Sequence, residues 1–212
     1  MVLLNCLYAQ DELSSNYKPG KLSPFSVRID FSVPNPTNRA WKKCMVGVAE
    51  GNLSLNYKIP KTNIFSGIGY KGNLFYTPPK FFVFDLKTKM QMHCVYLKLG
   101  YDIIQNSSFF ISPSLNLGWS NTSYSDVICE SKTLSYKPVY AAWFTEPGIH
   151  FNYVPDANFG ISCSFTYVVV NHIWDPDYIC MNDHIGLGDV KKNGLTNYYS
   201  LGLGLYWGIG KR

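Results

Sequence analysis

The chain has 212 residues, one domain's worth of sequence, with 16% charged residues and 16% aromatics (16 Tyr, 13 Phe and 5 Trp). Soluble domains carry about a quarter charged residues, so this chain is poor in charge and rich in rings. No stretch approaches 18 apolar residues and the mean hydropathy is −0.07, which excludes a membrane-spanning helix; the dispersed net charge of +5 carries no nucleic-acid footprint.

Residues 1–10 form a short apolar run ending Tyr8-Ala9-Gln10 before Asp11-Glu12, and read as the remnant of a secretory signal. Residues 11–24 then read as a periplasmic N-terminal segment. From residue 25 onward one rhythm repeats: large apolar residues alternate with small or polar ones. Side chains on a strand alternate faces, so each such segment presents one apolar and one polar face. The predicted strands are 25–33, 45–57, 63–70, 92–103, 109–120, 140–153, 159–170 and 198–210. In the first, Phe25, Val27, Ile29, Phe31 and Val33 oppose Ser26, Arg28, Asp30 and Ser32. In the last, Leu201, Leu203, Leu205, Trp207 and Ile209 oppose Ser200, Gly202, Gly204, Tyr206 and Gly208. The third is the weakest, because Phe65 competes with Ile64, Ile68 and Tyr70 for the outer face.

Connections between these strands alternate strictly in length. Those at 58–62, 105–107 and 154–157 are short, and those at 34–44, 71–91, 121–139 and 171–197 are long. A closed barrel in lipid with tight turns on one rim and loops on the other explains both the alternation and the two faces. A soluble lipocalin-like barrel would invert the faces and bury the apolar set. The many Gly and Ser at polar positions suit a cramped interior better. Tyr101, Trp119, Tyr153 and Trp207 near strand ends also resemble interfacial girdles.

On these features the chain resembles the small OmpA/OmpX-like outer-membrane β-barrel proteins, and in particular the outer-membrane β-barrel domain proteins of Bacteroidota. The resemblance covers residues 25–212 and rests on the strand pattern, the loop asymmetry, the Tyr8-Ala9-Gln10 leader and Leu201-Gly202-Leu203-Gly204-Leu205-Tyr206-Trp207. That last strand is similar to the signal read by the barrel-assembly machinery, although the chain ends Gly210-Lys211-Arg212 and not on an aromatic. The resemblance implies an all-β, eight-stranded antiparallel up-and-down barrel with short periplasmic turns and long extracellular loops, integral to a Gram-negative outer membrane. Lipid and lipopolysaccharide are then its surroundings. Function is less constrained, since this architecture hosts many roles.

Arg28, Asp30, Lys98, Asp102, Glu146 and His150 fall at inward positions. An eight-stranded barrel is just wide enough for its own side chains, so these six are expected to form a structural charge network and not an open pore. A catalytic reading, on the pattern of barrel enzymes that modify lipid A, needs a serine with a base in reach. The bases are His93, His150, His172 and His184. His150 is followed by Phe151-Asn152, without the His-x-Ser arrangement of such enzymes, and lumen polarity explains it better. Asp175, Asp177 and Asp183 fit no calcium-loop spacing. No catalytic group, cofactor or metal is therefore assigned.

Cysteines are compatible with an exported, oxidising setting. Cys129 and Cys180 are one candidate disulfide on the long-loop rim, and Cys44 and Cys94 a second; spacing leaves connectivity open. Cys163, between Ile161 and Phe165, is the candidate free thiol. Phe81, Phe82 and Phe84, with Trp41, make the candidate partner-contact patch, because clustered exposed rings dominate binding hot spots. The expected role is non-enzymatic: a structural or interaction protein, including an accessory subunit of a larger outer-membrane complex. Lipid A modification, or loop-mediated adhesion and ligand binding, are the alternatives.

Overall fold

A computed structural model describes residues 23–80, 88–104, 108–125, 127, 139–155, 158–183, 191–192 and 194–209. In chain order these form β1 (Phe25–Pro36), the helix α1 (Arg39–Cys44), β2 (Val46–Lys58), β3 (Ile64–Tyr76), β4 (Lys89–Tyr101), β5 (Ile103–Ile104), β6 (Phe109–Ser125), β7 (Val139–Tyr153), β8 (Phe159–Ile173) and β9 (Leu195–Ile209). Two short 3-10 turns, Pro176–Ile179 and Met181–Asp183, precede β9. Short β5 continues the stave of β4 beyond a break at Asp102, whose N–H bonds the carbonyl of Asn63 at 2.8 Å. Each stave pairs antiparallel with the next, β4 with β6, and β1 with β9, so eight staves close into a barrel with no free edge.

Register fixes the barrel's shape. Strand partners followed from Val27 run through Leu55, Ile68, Leu97, Leu117, Thr145, Val169 and Asn197, and return to the first strand at Thr37. That is about 33 Å of stagger over about 38 Å measured across the eight strands, which tilts the strands by about 41°. Each residue therefore gains about 2.5 Å of height, and Phe25, Tyr57, Tyr101, Phe109, Tyr153, Phe159 and Trp207 fall at one level near the short-turn rim. About 20–25 Å higher, Trp119, Trp143, Tyr167 and Tyr199 form a second belt, matching the apolar band of a barrel in a bilayer. Between the belts the outward side chains are mostly exposed Leu, Ile, Val and Phe, with Ser66, Tyr70 and Cys163 among them. Above the second belt polar residues such as Asn121, Asn171 and Asn197 join the outer face, beside exposed Val46, Val139, Ile173 and Leu195.

The strands run further toward the long-loop rim than their outer-face pattern predicts. β3 reaches Tyr76 instead of ending at 70, β6 reaches Ser125, and β9 begins at Leu195. Sequence reading follows the lipid-facing rhythm and stops where the wall leaves the hydrocarbon. β1 shows why its upper end differs. Pairing with β2 stops at Ser32, so Pro34 and Pro36 lie where no partner awaits an N–H from that side.

The band makes a depth-dependent prediction. Leu203 is 71% exposed at mid-band. Leu203→Arg is expected to cost about 2–4 kcal/mol, whereas Asn121→Arg, above the upper belt, should cost about 0–1 kcal/mol. Urea titration of the barrel refolded in lipid vesicles measures both.

Candidate functional site

Inside, the wall carries three polar layers and an apolar cap. Nearest the short-turn rim, Lys58 pairs with Asp102 at 3.3 Å, and Ser112 Oγ donates to Asp102 at 2.8 Å. Arg28 crosses the lumen to donate to the same serine at 3.2 Å, its guanidinium lying between the rings of Phe65 and Tyr206 at 5.6 and 5.5 Å. Such stacking supports a desolvated guanidinium. Beside this pair is a cavity of about 10 Å³, room for a single water.

The middle layer holds Lys98 Nζ 3.3 Å from His150 Nε2, and Asp30, which accepts from Asn52 and Ser162, each at 3.3 Å. Asp30 packs where the second strand of the seam carries Gly204, because a side chain there would collide with the carboxylate. Above it Lys71 lies between Glu146, which it pairs at close range, and Glu50 at 3.4 Å. Ser32 and Ser200 donate to Glu50 at 2.6 and 3.0 Å. Tyr96 fills the space left by Gly69 and donates to Asn52.

All six inward groups expected from the sequence are buried in this lumen. Arg28 and Asp102 meet through Ser112, and Lys98 meets His150. Asp30 makes no ion pair with either cation, and the partner of Glu146 is Lys71. Lys71, Glu50 and Lys58 belong to the network but escaped the sequence reading. The outer-face pattern puts Lys71 in a loop, although the alternation Gly69, Lys71, Asn73, Phe75 continues past residue 70 and carries the signal.

Above the polar layers the interior becomes apolar. Trp41, Phe75 and Tyr198 form a triangle of rings with centroids 4.8, 5.9 and 5.7 Å apart. Met90, Met92, Phe144, Val168, Val170, Trp174, Ile179 and Met181 complete the cluster. Helix α1 drops into this mouth as a plug. Asn38 caps it, accepting from the N–H groups of Ala40 and Trp41 at 2.9 and 3.3 Å, while its amide donates to the carbonyl of Leu195 at 3.0 Å. One side chain thus starts the helix and ties it to β9.

Two expectations are corrected here. Trp41 is fully buried in the plug, not displayed to a partner; its sequence neighbours Arg39, Lys42 and Lys43 supply the exposed face. Cys44 and Cys94 are both free thiols buried in the cap cluster and do not bond each other. Cys163 is free and exposed on the outer wall, and Cys180 is disulfide-bonded; Cys129, the partner expected for it, lies outside the described residues, as do Phe81, Phe82 and Phe84. Burial pushes the Cys44 thiol up to about 12, against the pull of Lys43 and Lys80. Folded protein at pH 8 is therefore expected to leave Cys44 unlabelled by a water-soluble maleimide, and unfolding should expose it; prompt labelling of Cys44 in the folded state would contradict the plug.

No serine among the described residues donates to His150. Ser112, its strand partner, gives its proton to Asp102. His93 sits outside on the wall with Tyr70 Oη 2.6 Å from its Nδ1, and His172 stacks on Tyr140 at 3.8 Å. Asp175 caps the turn after β8, accepting from the N–H of Asp177 at 3.1 Å, and pairs with Lys192. Asp177 accepts from Asn182 at 3.1 Å. These carboxylates hold the turn, and no cluster of metal-ligating side chains occurs among the described residues.

An apolar belt-to-belt wall around a filled polar lumen is what lipid demands of a barrel. Solved structures agree. The fold matches Neisserial surface protein A with TM-score 0.55 at 13% identity, covering 88% of this chain and 98% of that one. A major outer membrane protein of Thermus thermophilus matches with TM-score 0.57 at 9% identity, covering 86% and 98%. OprG of Pseudomonas aeruginosa matches with TM-score 0.50 at 14% identity, covering 89% and 98%. The chain is an integral outer-membrane β-barrel. No protein-family model and no curated protein matches the sequence, so the likeness is one of fold.

Proposed function

We propose that this barrel is a non-enzymatic structural or interaction protein that works through its long-loop rim, as an accessory subunit of a larger outer-membrane complex. The observation behind this reading is the filled lumen. Ion pairs occupy its lower part and the ring cluster with α1 occupies its mouth, so transport through the barrel has no path. The wall above the upper belt is braced by that cap and offers a rigid surface outside the membrane, the extracellular side on this reading. Extraction in mild detergent at native expression, followed by the mass of what co-purifies, tests the proposal. A stoichiometric protein partner is the expected result; a lone particle of monomer mass argues against it.

A loop-mediated ligand binder is the second reading, favoured by one feature. Arg39, Lys42 and Lys43 all project from the exposed face of α1, a surface suited to phosphates of neighbouring lipopolysaccharide. Lipid A modification is disfavoured, since His150 is enclosed by the lumen and cannot reach a lipid; an altered lipid A profile in a His150→Ala strain would reinstate it. Engagement of the barrel-assembly machinery through β9, a disulfide between Cys129 and Cys180, and kinship with Bacteroidota barrels belong to the same proposal.

A further inference from the structure

The wall between the belts carries an apolar groove. It has a volume of about 550 Å³ and runs up the outer face of β2, β3 and β4, lined by Phe25, Leu55, Tyr57, Ile68, Leu97 and Leu117. At its lower end Ser66 points outward. It is an outward aliphatic hydroxyl in the lower half of the band, and it has no hydrogen-bond partner among the described residues. By the register it lies about 3 Å above Tyr57, its neighbour in the lower aromatic belt. Directly below, the turn from β2 to β3 carries Lys61, exposed and without an ion-pair partner among the described residues, at φ 63°, a left-handed position that glycine or asparagine fills at less cost.

We propose that this groove holds one glycerophospholipid of the leaflet on the short-turn side. Three parts of such a lipid meet three features in order of depth. An anionic phosphate at the interface faces the Lys61 ammonium, an ester carbonyl just inside accepts from Ser66 Oγ, and an acyl chain runs up the apolar groove toward Leu97 and Leu117. Charge complementarity at Lys61 selects a phospholipid over a neutral apolar partner. A transmembrane protein segment would leave the lysine and the serine unmatched. The site is on the rim opposite the long loops, so it stands or falls independently of the interaction surface proposed above.

The test compares wild type, Ser66→Leu, Lys61→Gln and, as a control on the far wall, Leu205→Phe. Each is purified from native membranes in mild detergent, checked for the heat-dependent gel shift of a folded barrel, and analysed for bound lipid by native mass spectrometry. Wild type and Leu205→Phe are expected to retain one phospholipid. Ser66→Leu, which fills the groove, should lower its occupancy at least about tenfold, and Lys61→Gln about threefold. Equal retention in all four, retention of lipid A in its place, or a second copy of the chain on this face would overturn the proposal.

Discussion

Lys71→Met is expected to destabilise the barrel by about 3–5 kcal/mol, the cost of leaving buried charge without its partner. Lys71 is fully enclosed between two carboxylates, Glu146 and Glu50, themselves buried. Ser32 and Ser200 also hold Glu50, whereas Lys71 binds only Oε1 of Glu146 and Oε2 accepts no hydrogen bond. Removing the lysine leaves two like charges facing each other in a medium of low dielectric, where repulsion is weakly screened. Replacing the whole triad is a different experiment. Lys71→Met with Glu50→Gln and Glu146→Gln removes charge and partner together and should recover most of the loss. Urea midpoints of the detergent-refolded barrel, read by tryptophan fluorescence and by the gel shift, distinguish the cases. A single Lys71→Met variant within about 1 kcal/mol of wild type would show that water, not Lys71, solvates these carboxylates.

The fold was legible in the sequence because lipid is an unforgiving solvent on one face. Every second residue from Phe25 to Val33 or from Leu201 to Ile209 had to be apolar, and the polar alternates had nowhere to go but inward. The lumen network was half legible for the same reason: Arg28, Asp30, Lys98, Asp102, Glu146 and His150 all sit within the lipid-facing rhythm. Lys71 and Glu50 were missed where the outer rhythm weakens, at Gly51 and Gly72, whose positions face outward without a side chain. The cap was illegible for a physical reason of its own. Above the upper belt the inside reverses from polar to apolar while the outside mixes polar residues with exposed Val139, Ile173 and Leu195, so an apolar residue no longer tells which face it occupies. Val168 and Val170 are core there, while Asn171 is exposed. Trp41 looked like a displayed ring because a segment between strands offers no alternation from which to read direction. Only the contact with Phe75 and Tyr198 identifies it as the centre of a core.

That reversal predicts a second large effect, confined to one end of the molecule. Trp41→Ala should cost about 3–5 kcal/mol, the usual loss for deleting a fully buried large ring. Trp41 touches both the triangle of rings and, through α1, the turn Pro176–Ile179. Without it the plug loses its anchor, and the hydrogen bonds of Thr37 and Asn38 are left to hold the helix to β9. The ring partners of Trp41 are Phe75 and Tyr198, above the ion pairs, so the Lys71–Glu146 and Lys58–Asp102 pairs should persist. The expected signature is therefore split: hydrogen exchange rises sharply over 38–47 and 174–181, while protection of 26–32 and 200–206 stays near wild type. Exchange that rises equally in both regions would mean that cap and lumen fold as a single unit. A cap that opens alone would instead make the long-loop surface a separately adjustable part of the barrel, stabilised by its own core and free to change without breaching the membrane-spanning wall.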